Sequence, residues 1–427
     1  MSFPRYHEYK DSGVEWLGEV PEHWDVKRLK FLCKVQTGDK DTVNAIKNGE
    51  YPFFVRSQTI ERIDSFTFDC EAVLTAGDGV GVGKVFHYIK GKFDFHQRVY
   101  MMNNFRFVTG KFFFQYLAAT FYKVALEGGA KSTVDSLRMP LFMNFTLAIP
   151  PINEQEKIIA FLDHETAKID ELIAEQQRLI ELLKEKRQAV ISHAVTKGLN
   201  PNATMKDSGI EWLGKMPEHW EICHLKHKTI KITDGSHISP ETESGVYEFV
   251  STRDVRDDGI DFENCLRTSE QSYEYLVRTG CKPSIGDVLF SKDGTIGRTV
   301  VVREDRDFVV ASSLIIIKPN GEAIAPDFLN YLCQSSIVFG QVENFVKGVG
   351  LPRLSIQNLL RIVGIFPPIA EQIQIVDYLN LVLDQMAPLL ASAQDAITLL
   401  QERRTALLSA AVTGKIDVRG LNQSLKP

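Results

Sequence analysis

Two stretches of the chain carry the same periodic pattern. Between Pro151 and Gly198 there is neither Pro nor Gly, and Ala, Leu, Glu, Lys, Gln and Arg dominate, which predicts one long helix. Alternating steps of four and three give Leu162, Thr166, Ile169, Ile173, Gln176, Ile180, Leu183, Arg187, Val190 and Ala194, and seven of these ten are apolar. A second stretch gives Leu379, Leu383, Met386, Leu390, Ala393, Ile397, Leu400, Arg404, Leu407 and Ala411, nine of ten apolar. Such a sustained stripe reads as a coiled-coil seam. The stripes match in register, down to an Arg at the same seam position. We therefore expect them to pack on each other, antiparallel if a two-fold relates the halves, rather than to be separate core helices of a bundle. From Leu162 to Ala194 such a helix is a rod of roughly 50 Å, able to hold two modules at a fixed distance. Pro388 should kink the second helix or mark its true start.

Elsewhere the pattern is shorter and mixed. β-rich runs occur at Tyr51–Val55, Ala72–Thr75 and Val99–Phe107, and again at Tyr247–Val250, Asp287–Phe290 and Phe308–Ile317. Each region also has one helical patch, Phe113 with Tyr116-Leu117 and Phe328 with Tyr331-Leu332, whose apolar spacing assigns it to a core. Polar, glycine-containing loops separate the runs.

The chain is an internal repeat. Residues 10–24 (KDSGVEWLGEVPEHW) and 206–220 (KDSGIEWLGKMPEHW) agree at twelve of fifteen positions, at an offset of 196. Pro150-Pro151-Ile152 with Glu154-Gln155 matches Pro367-Pro368-Ile369 with Glu371-Gln372 at an offset of 217. The second copy of the intervening segment is therefore 21 residues longer. Gly198-Leu199-Asn200 follows the first matched helix and Gly420-Leu421-Asn422 the second, so the repeat looks circular. We divide the chain into a globular segment 1–150, a helix 151–200, a globular segment 201–367 and a helix 368–427. The expected class is α+β, with two tandem mixed modules separated by an antiparallel helix pair, pseudo-two-fold and circularly organised. In the repeated W-L-G-x-x-P-E-H-W segment, Trp16, Leu17 and Trp24, like Trp212, Leu213 and Trp220, either pin each module to its own core or face the helices or a partner.

Composition narrows the classes. With 44% hydrophobic residues and a net charge of −6, global disorder is excluded. No apolar run approaches the ~20 residues of a membrane span, and the N-terminus has no apolar signal region, so a cytoplasmic location is expected. The six cysteines are scattered without a C-x-x-C pair, and even the Cys223, His224 and His227 group lacks a second ligand pair, so reduced thiols and no metal are expected. The first globular segment has 19 basic and 17 acidic residues and the second 18 and 23. Nucleic-acid binding then needs its basic residues clustered on one face, or a partner supplying phosphate contacts.

The loops supply the candidate chemistry. They carry Arg56, Gln58, Lys84, Gln97, Arg98 and Lys131 in the first segment. In the second they carry Asp234, His237, Arg253, Lys292, Asp293, Thr295, Arg298 and Ser312. Arg forks onto guanine, Gln onto adenine, Asp accepts from cytosine, and Ser or Thr serves several bases. Arg56-Ser57-Gln58 aligns with Thr252-Arg253-Asp254, Gln97-Arg98 with Ser312-Ser313, and Asp78-Gly79 with Asp293-Gly294. Frames match while loop residues differ. No engine is evident. Gly77–Lys84 fails as a phosphate loop, because Asp78 and Val85 stand where Gly and Ser/Thr are required, and reads as a glycine-rich hairpin. Neither Pro-Pro pair has the flanks of an amino-methyltransferase loop.

These features together resemble the specificity subunit of type I restriction-modification systems. They are the twice-occurring S-G-[VI]-E-W-L-G-x-x-P-E-H-W, the two P-P-I-x-E-Q helix starts and the D-G hairpin ahead of each. The resemblance covers essentially the whole chain. It implies two target recognition domains, each reading one half of a split double-stranded DNA site, and spacer helices that dock two modification (methyltransferase) subunits. It places S-adenosylmethionine, ATP and Mg on partner subunits, with restriction/translocase subunits as further partners, no cofactor here and no membrane. The alternatives are a coiled-coil adaptor without DNA specificity and a diverged nuclease or methyltransferase with an unrecognised site.

Overall fold

The computed structural model describes residues 3–125, 136–242, 245–256, 259–346 and 353–421. Two helices dominate it, Ile152–Lys197 and Ile369–Val412. The second runs through Pro388, which therefore does not mark its start. Every position of both four-three stripes is buried or half-buried, while flanking residues such as Glu171, Glu175, Gln177 and Gln385 are exposed. Burial thus follows the seam periodicity.

The chain forms two compact units, Met1–Gln177 with Gln394–Pro427, and Arg178–Ala393. The division runs through both helices, so each unit holds one module, the near part of one helix and the far part of the other. In the first unit, Ile158, Leu162 and Ile169 share a core with Leu407, Ala411 and Val412. Arg404 reaches Asp170 at 3.0 Å, while Arg419, beyond the end of its helix, lies over the Tyr6 ring near Glu154. The helices are therefore antiparallel there. In the second unit, Ile191, Ala194 and Val195 share a core with Ile375, Val376 and Leu379.

The first module is built on a six-stranded sheet in the order Lys34–Thr37, Val99–Asn103, Phe68–Ala76, Phe86–Phe95, Tyr51–Phe54, Glu61–Ile63. All pairs are antiparallel except Tyr51–Phe54 with the end of Phe86–Phe95. Helix Gly110–Thr120 covers it through the fully buried Phe112, Phe113, Tyr116 and Leu117. The expected strand Val99–Phe107 stops at Asn103, because Asn104 and Phe107 take positive φ (53° and 62°) that an extended ladder does not accommodate.

The second module keeps the frame but divides the sheet. Four strands run Thr229–Asp234, Leu314–Pro319, Val288–Ser291, Thr299–Val301, and three run Leu266–Thr268, Tyr247–Val250, Phe308–Val310. The register is shared: Val73 faces Met102 as Val288 faces Ile317, and Phe53 pairs in parallel with Asp94 as Phe249 does with Val309. What is one strand in the first module, Phe86–Phe95, becomes two in the second, parted by residues 302–307. Glu304, Asp305, Arg306 and Asp307 there disfavour a continuous strand. The expected single strand Phe308–Ile317 is likewise two, turned at Ala311-Ser312-Ser313.

Candidate nucleic-acid interface

At the base of each module the two repeated motifs explain each other. Glu154, near the start of its helix, accepts from Tyr6 Oη (2.5 Å) and Trp24 Nε1 (3.0 Å) and lies 2.8 Å from His23 Nε2. Glu371 accepts from Trp220 Nε1 (3.1 Å) and lies 2.7 Å from His219 Nε2. Gln155 accepts from the Thr109 amide and donates to the carbonyls of Phe107 and Pro150, as Gln372 does with Ala325, Ala323 and Pro367. Trp24, Trp220, Leu17 and Leu213 are buried. These residues are buried in the core of their module and, through the two tryptophans, also face the helix, so both alternatives for the motif meet at this point. Trp16 stacks on Phe145 (5.3 Å, 10°), whereas Trp212 is 54% exposed.

The circular closure is also visible within each unit. Lys197 Nζ donates to the carbonyls of Leu213 and Lys215, and Lys415 Nζ to those of Leu17 and Glu19. The residue equivalent to Gly198 is Gly414, not Gly420 as the sequence match suggested. Both have positive φ (76° and 73°) at a helix end, and a Cβ on either would press on the buried Trp of its module.

The candidate loop residues gather at the ends of the central strands. In the first unit, Arg56 Nη1 and Arg98 Nη1 donate to opposite oxygens of Asp78, at 2.8 and 2.9 Å. Gln97 Nε2 donates to Asp41 at 2.8 Å, and His96 Nε2 lies 3.8 Å from the same carboxylate. Burial alone would raise the Asp78 carboxyl, but the two guanidiniums outweigh it and hold it below the usual range. Asp41 is lowered, chiefly by the Thr42 hydroxyl. A cavity of about 360 Å³ opens here, lined by Thr42, Val55, Arg56, Ser57, Asp78 and Gly79–Gly81. Gln58 and Lys84 are exposed on flanking segments, and Lys131 lies outside the described residues. The Gly77–Lys84 stretch is indeed a connection between antiparallel strands, turning at Gly79–Gly81 and again where the Lys84 amide donates to the Gly81 carbonyl at 3.0 Å.

In the second unit, Lys292 is ion-paired with Asp234, whose other oxygen lies 3.5 Å from His237 Nε2. The Lys292 side chain is only 3% exposed, so it supports the turn from beneath rather than reaching outward. Arg253 stands exposed on the short turn Thr252–Asp254, beside Ser312 and Ser313, the latter tied to Thr252 by two hydrogen bonds of 3.1 Å. Asp293 pairs with Arg353 at 3.8 Å. Thr295 is exposed on the same turn, and its carbonyl accepts from Ser291 Oγ at 2.6 Å. Arg298 faces elsewhere: it donates to the Val255 carbonyl and lines a separate cavity of about 360 Å³ with Lys184, Arg187 and Arg256. Among the described residues, no group of three or more His, Cys, Asp or Glu could hold a metal, and no helix is long and apolar enough to cross a membrane.

Sequence reasoning missed Asp41, Asp78 and Arg353 as parts of these faces. A signal existed for Asp78, since Asp-Gly recurs at the equivalent turn. Arg353 had none, because it arrives from a distant segment. Arg56, Arg98, Lys292 and Arg353 each have an aspartate beside them, so the positive charge at these faces is largely balanced in place.

The molecule is thus a twofold-repeated binding protein, two modules of common frame presenting different polar faces, each anchored by the same clamp to a long helix. The model of the type I restriction modification DNA specificity domain matches it twice, at residues 21–182 and 218–389, and the chain belongs to that family. It is 32% identical to the type I restriction enzyme EcoDI specificity subunit of Escherichia coli over 178 residues, 42% of this chain and 39% of that one. It is 27% identical to the EcoBI specificity subunit of the same species, again matching only 57% of that protein's length. With the MjaVIII specificity subunit of Methanocaldococcus jannaschii the match is 24% over 429 residues, 94% and 95% of the two chains. A solved structure described as showing complex assembly and conformational transition of the type I R-M system shares the fold, with a TM-score of 0.66 at 16% identity over 92% of this chain and 98% of that one.

Proposed function

We propose that this chain is the sequence-reading subunit of a type I restriction-modification complex. Each module reads one half of a bipartite duplex site, and the long helices set the gap between half-sites and dock two methyltransferase subunits. The observation that carries this reading is a shared central register with changed faces. Strand register and the Asp-Gly turn recur between modules, while Arg56 and Arg98 in one stand where Thr252 and Ser313 stand in the other. An adaptor holding two identical partners at its modules would keep those faces alike. The chain does no chemistry itself. S-adenosylmethionine belongs to the modification subunits, which methylate an adenine in each half-site, and ATP and Mg to restriction subunits that translocate and cut.

The test is to sequence base modifications in cells expressing the modification subunit with and without this chain. A split motif, methylated in each half only when the chain is present, is the expected result. An unchanged methylome, with both proteins expressed and bound to each other, would leave the adaptor. Arg253→Ala should change one half of the motif by roughly 5- to 150-fold in preference and leave the other intact. Inserting helical turns after Leu183 should lengthen the tolerated gap.

A further inference from the structure

We propose that Asp78 is a positioning residue for base reading, which holds Arg56 and Arg98 in place before DNA arrives, and that Asp293 has the same part in the other module. The inference rests on the reading of these faces as DNA-reading.

Asp78 follows strand Phe68–Ala76, and its backbone is fixed on both sides. The Gly77 amide donates to the Arg98 carbonyl (2.8 Å), the Leu137 amide donates to the Gly77 carbonyl (2.9 Å), and Asp78 bridges to Ser136. Gly79 turns the chain away at φ 77°. The carboxylate is thereby set low, at 17% exposure, with Arg56 and Arg98 above it at 41% and 58%. Each arginine commits one N–H to it. A guanidinium has five such donors, so each retains enough for a bidentate contact with guanine O6 and N7. An unheld surface arginine would lose its rotamer freedom on binding, whereas these two have already lost it. The carboxylate also offsets the pull of two cations on any phosphate, which lowers sequence-independent attraction.

The second module makes a chance ion pair a poor explanation. Asp293 occupies the equivalent turn: the Lys292 amide donates to the Ser313 carbonyl (2.9 Å), the Leu354 amide donates to the Lys292 carbonyl (2.8 Å), and Asp293 bridges to Arg353. Gly294 repeats the positive φ, at 67°. The arginines of the first module are absent at equivalent positions, which hold Thr252 and Ser313. Yet an exposed guanidinium, that of Arg353, forms an ion pair with the equivalent carboxylate from a different segment, with Nε 3.8 Å from Oδ2, a longer contact than the hydrogen bonds of Asp78. The holder is retained while the held group changes its origin.

The experiment uses the full chain in complex with its modification subunit and a pool of randomised duplex oligonucleotides, reading preference at each position and affinity for the unselected pool. Asp78→Asn should relax one half-site about tenfold while raising affinity for the unselected pool, because a negative charge has left the face. Asp293→Asn should do the same to the other half-site. Asp78→Glu keeps the charge but displaces both guanidiniums, so preference should fall with unselected affinity unchanged, and this variant carries the test if the Asn protein does not fold. Arg56→Ala and Arg98→Ala should lose the same base preference and flatten the salt dependence. If the arginine variants lose preference and Asp78→Asn keeps it, the arginines read unaided and the positioning role is overturned. A parallel fall in selected and unselected binding would make Asp78 merely structural, which also overturns it. If none of these variants alters either half-site, the assignment of these faces to DNA fails, and the inference with it.

Discussion

The two units share their attachment to the helices and the register at the centre of their sheets, and differ in how those sheets are divided and in their loops. Their sheets are divided differently, six strands in one and four plus three in the other, yet the paired residues at the centre share a register. Their loops differ nearly everywhere, yet one aspartate stays beneath a guanidinium in both. The clamp at the base is common, but the first unit makes it more completely. Tyr6 adds a third contact to Glu154, whose side chain is 5% exposed, while Glu371 has two partners and is 27% exposed. The comparison teaches that attachment to the helices constrains this architecture more strongly than the sheet does, leaving strand ends free to vary.

The largest effect should come from the clamp. Glu154→Ala leaves the buried Trp24 N–H and Tyr6 O–H unpaired and should cost about 3–5 kcal/mol. Glu371→Ala, more exposed and with fewer partners, should cost about 1–2 kcal/mol. Urea unfolding of each variant measures both, and equal costs would break the claimed asymmetry. Next come the helix-end glycines. Gly414→Ala meets Pro21 as well as the left-handed backbone and should cost roughly 2–3 kcal/mol, against about 1–2 kcal/mol for Gly198→Ala, where the Trp220 ring is the nearest contact. The smallest effect is expected at the seam. Arg404→Ala removes an exposed pair with Asp170 and should change stability by under about 1 kcal/mol. A larger loss would mean that the seam arginine is structural rather than a solvated edge of the stripe.

Acidity offers a further check on the reading faces. The Asp78 carboxyl is held below its ordinary range, so its folded pKa lies under its unfolded one. Its contribution is therefore present above the unfolded carboxylate range and is lost only as pH falls through the lower folded value. Half-site preference of the first module should stay constant from pH 8 down to about pH 5. Titration of preference within that window would show that another group, such as His96, whose protonation burial disfavours, sets the arginines.

Much of this was legible because it is periodic or repeated. The four-three stripes specify which helix face is buried, since burial follows side-chain geometry along one element. The twice-written E-H-W and P-P-I-x-E-Q motifs marked two equivalent attachments, but that they bond to each other was not legible, because hydrogen-bond partners more than a hundred residues apart leave no mark in local spacing. Arg353 and the buried state of Lys292 were hidden likewise, since their partners Asp293 and Asp234 also lie far beyond local spacing. Local backbone demands hid the strand breaks at Asn104 and at Ala311–Ser313, where a β-rich run looks continuous on paper.

What the sequence by itself determined is the plan: two copies of one unit, two seamed helices and loops of differing chemistry on matched strands. Amphipathic period and internal identity are properties of the chain alone. What only the tertiary structure decided is which charges meet. Pairing energy depends on distance and exposure, not on order along the chain, and it is the fold that brings Asp78 to 2.8 and 2.9 Å from arginines 22 and 20 residues away on either side.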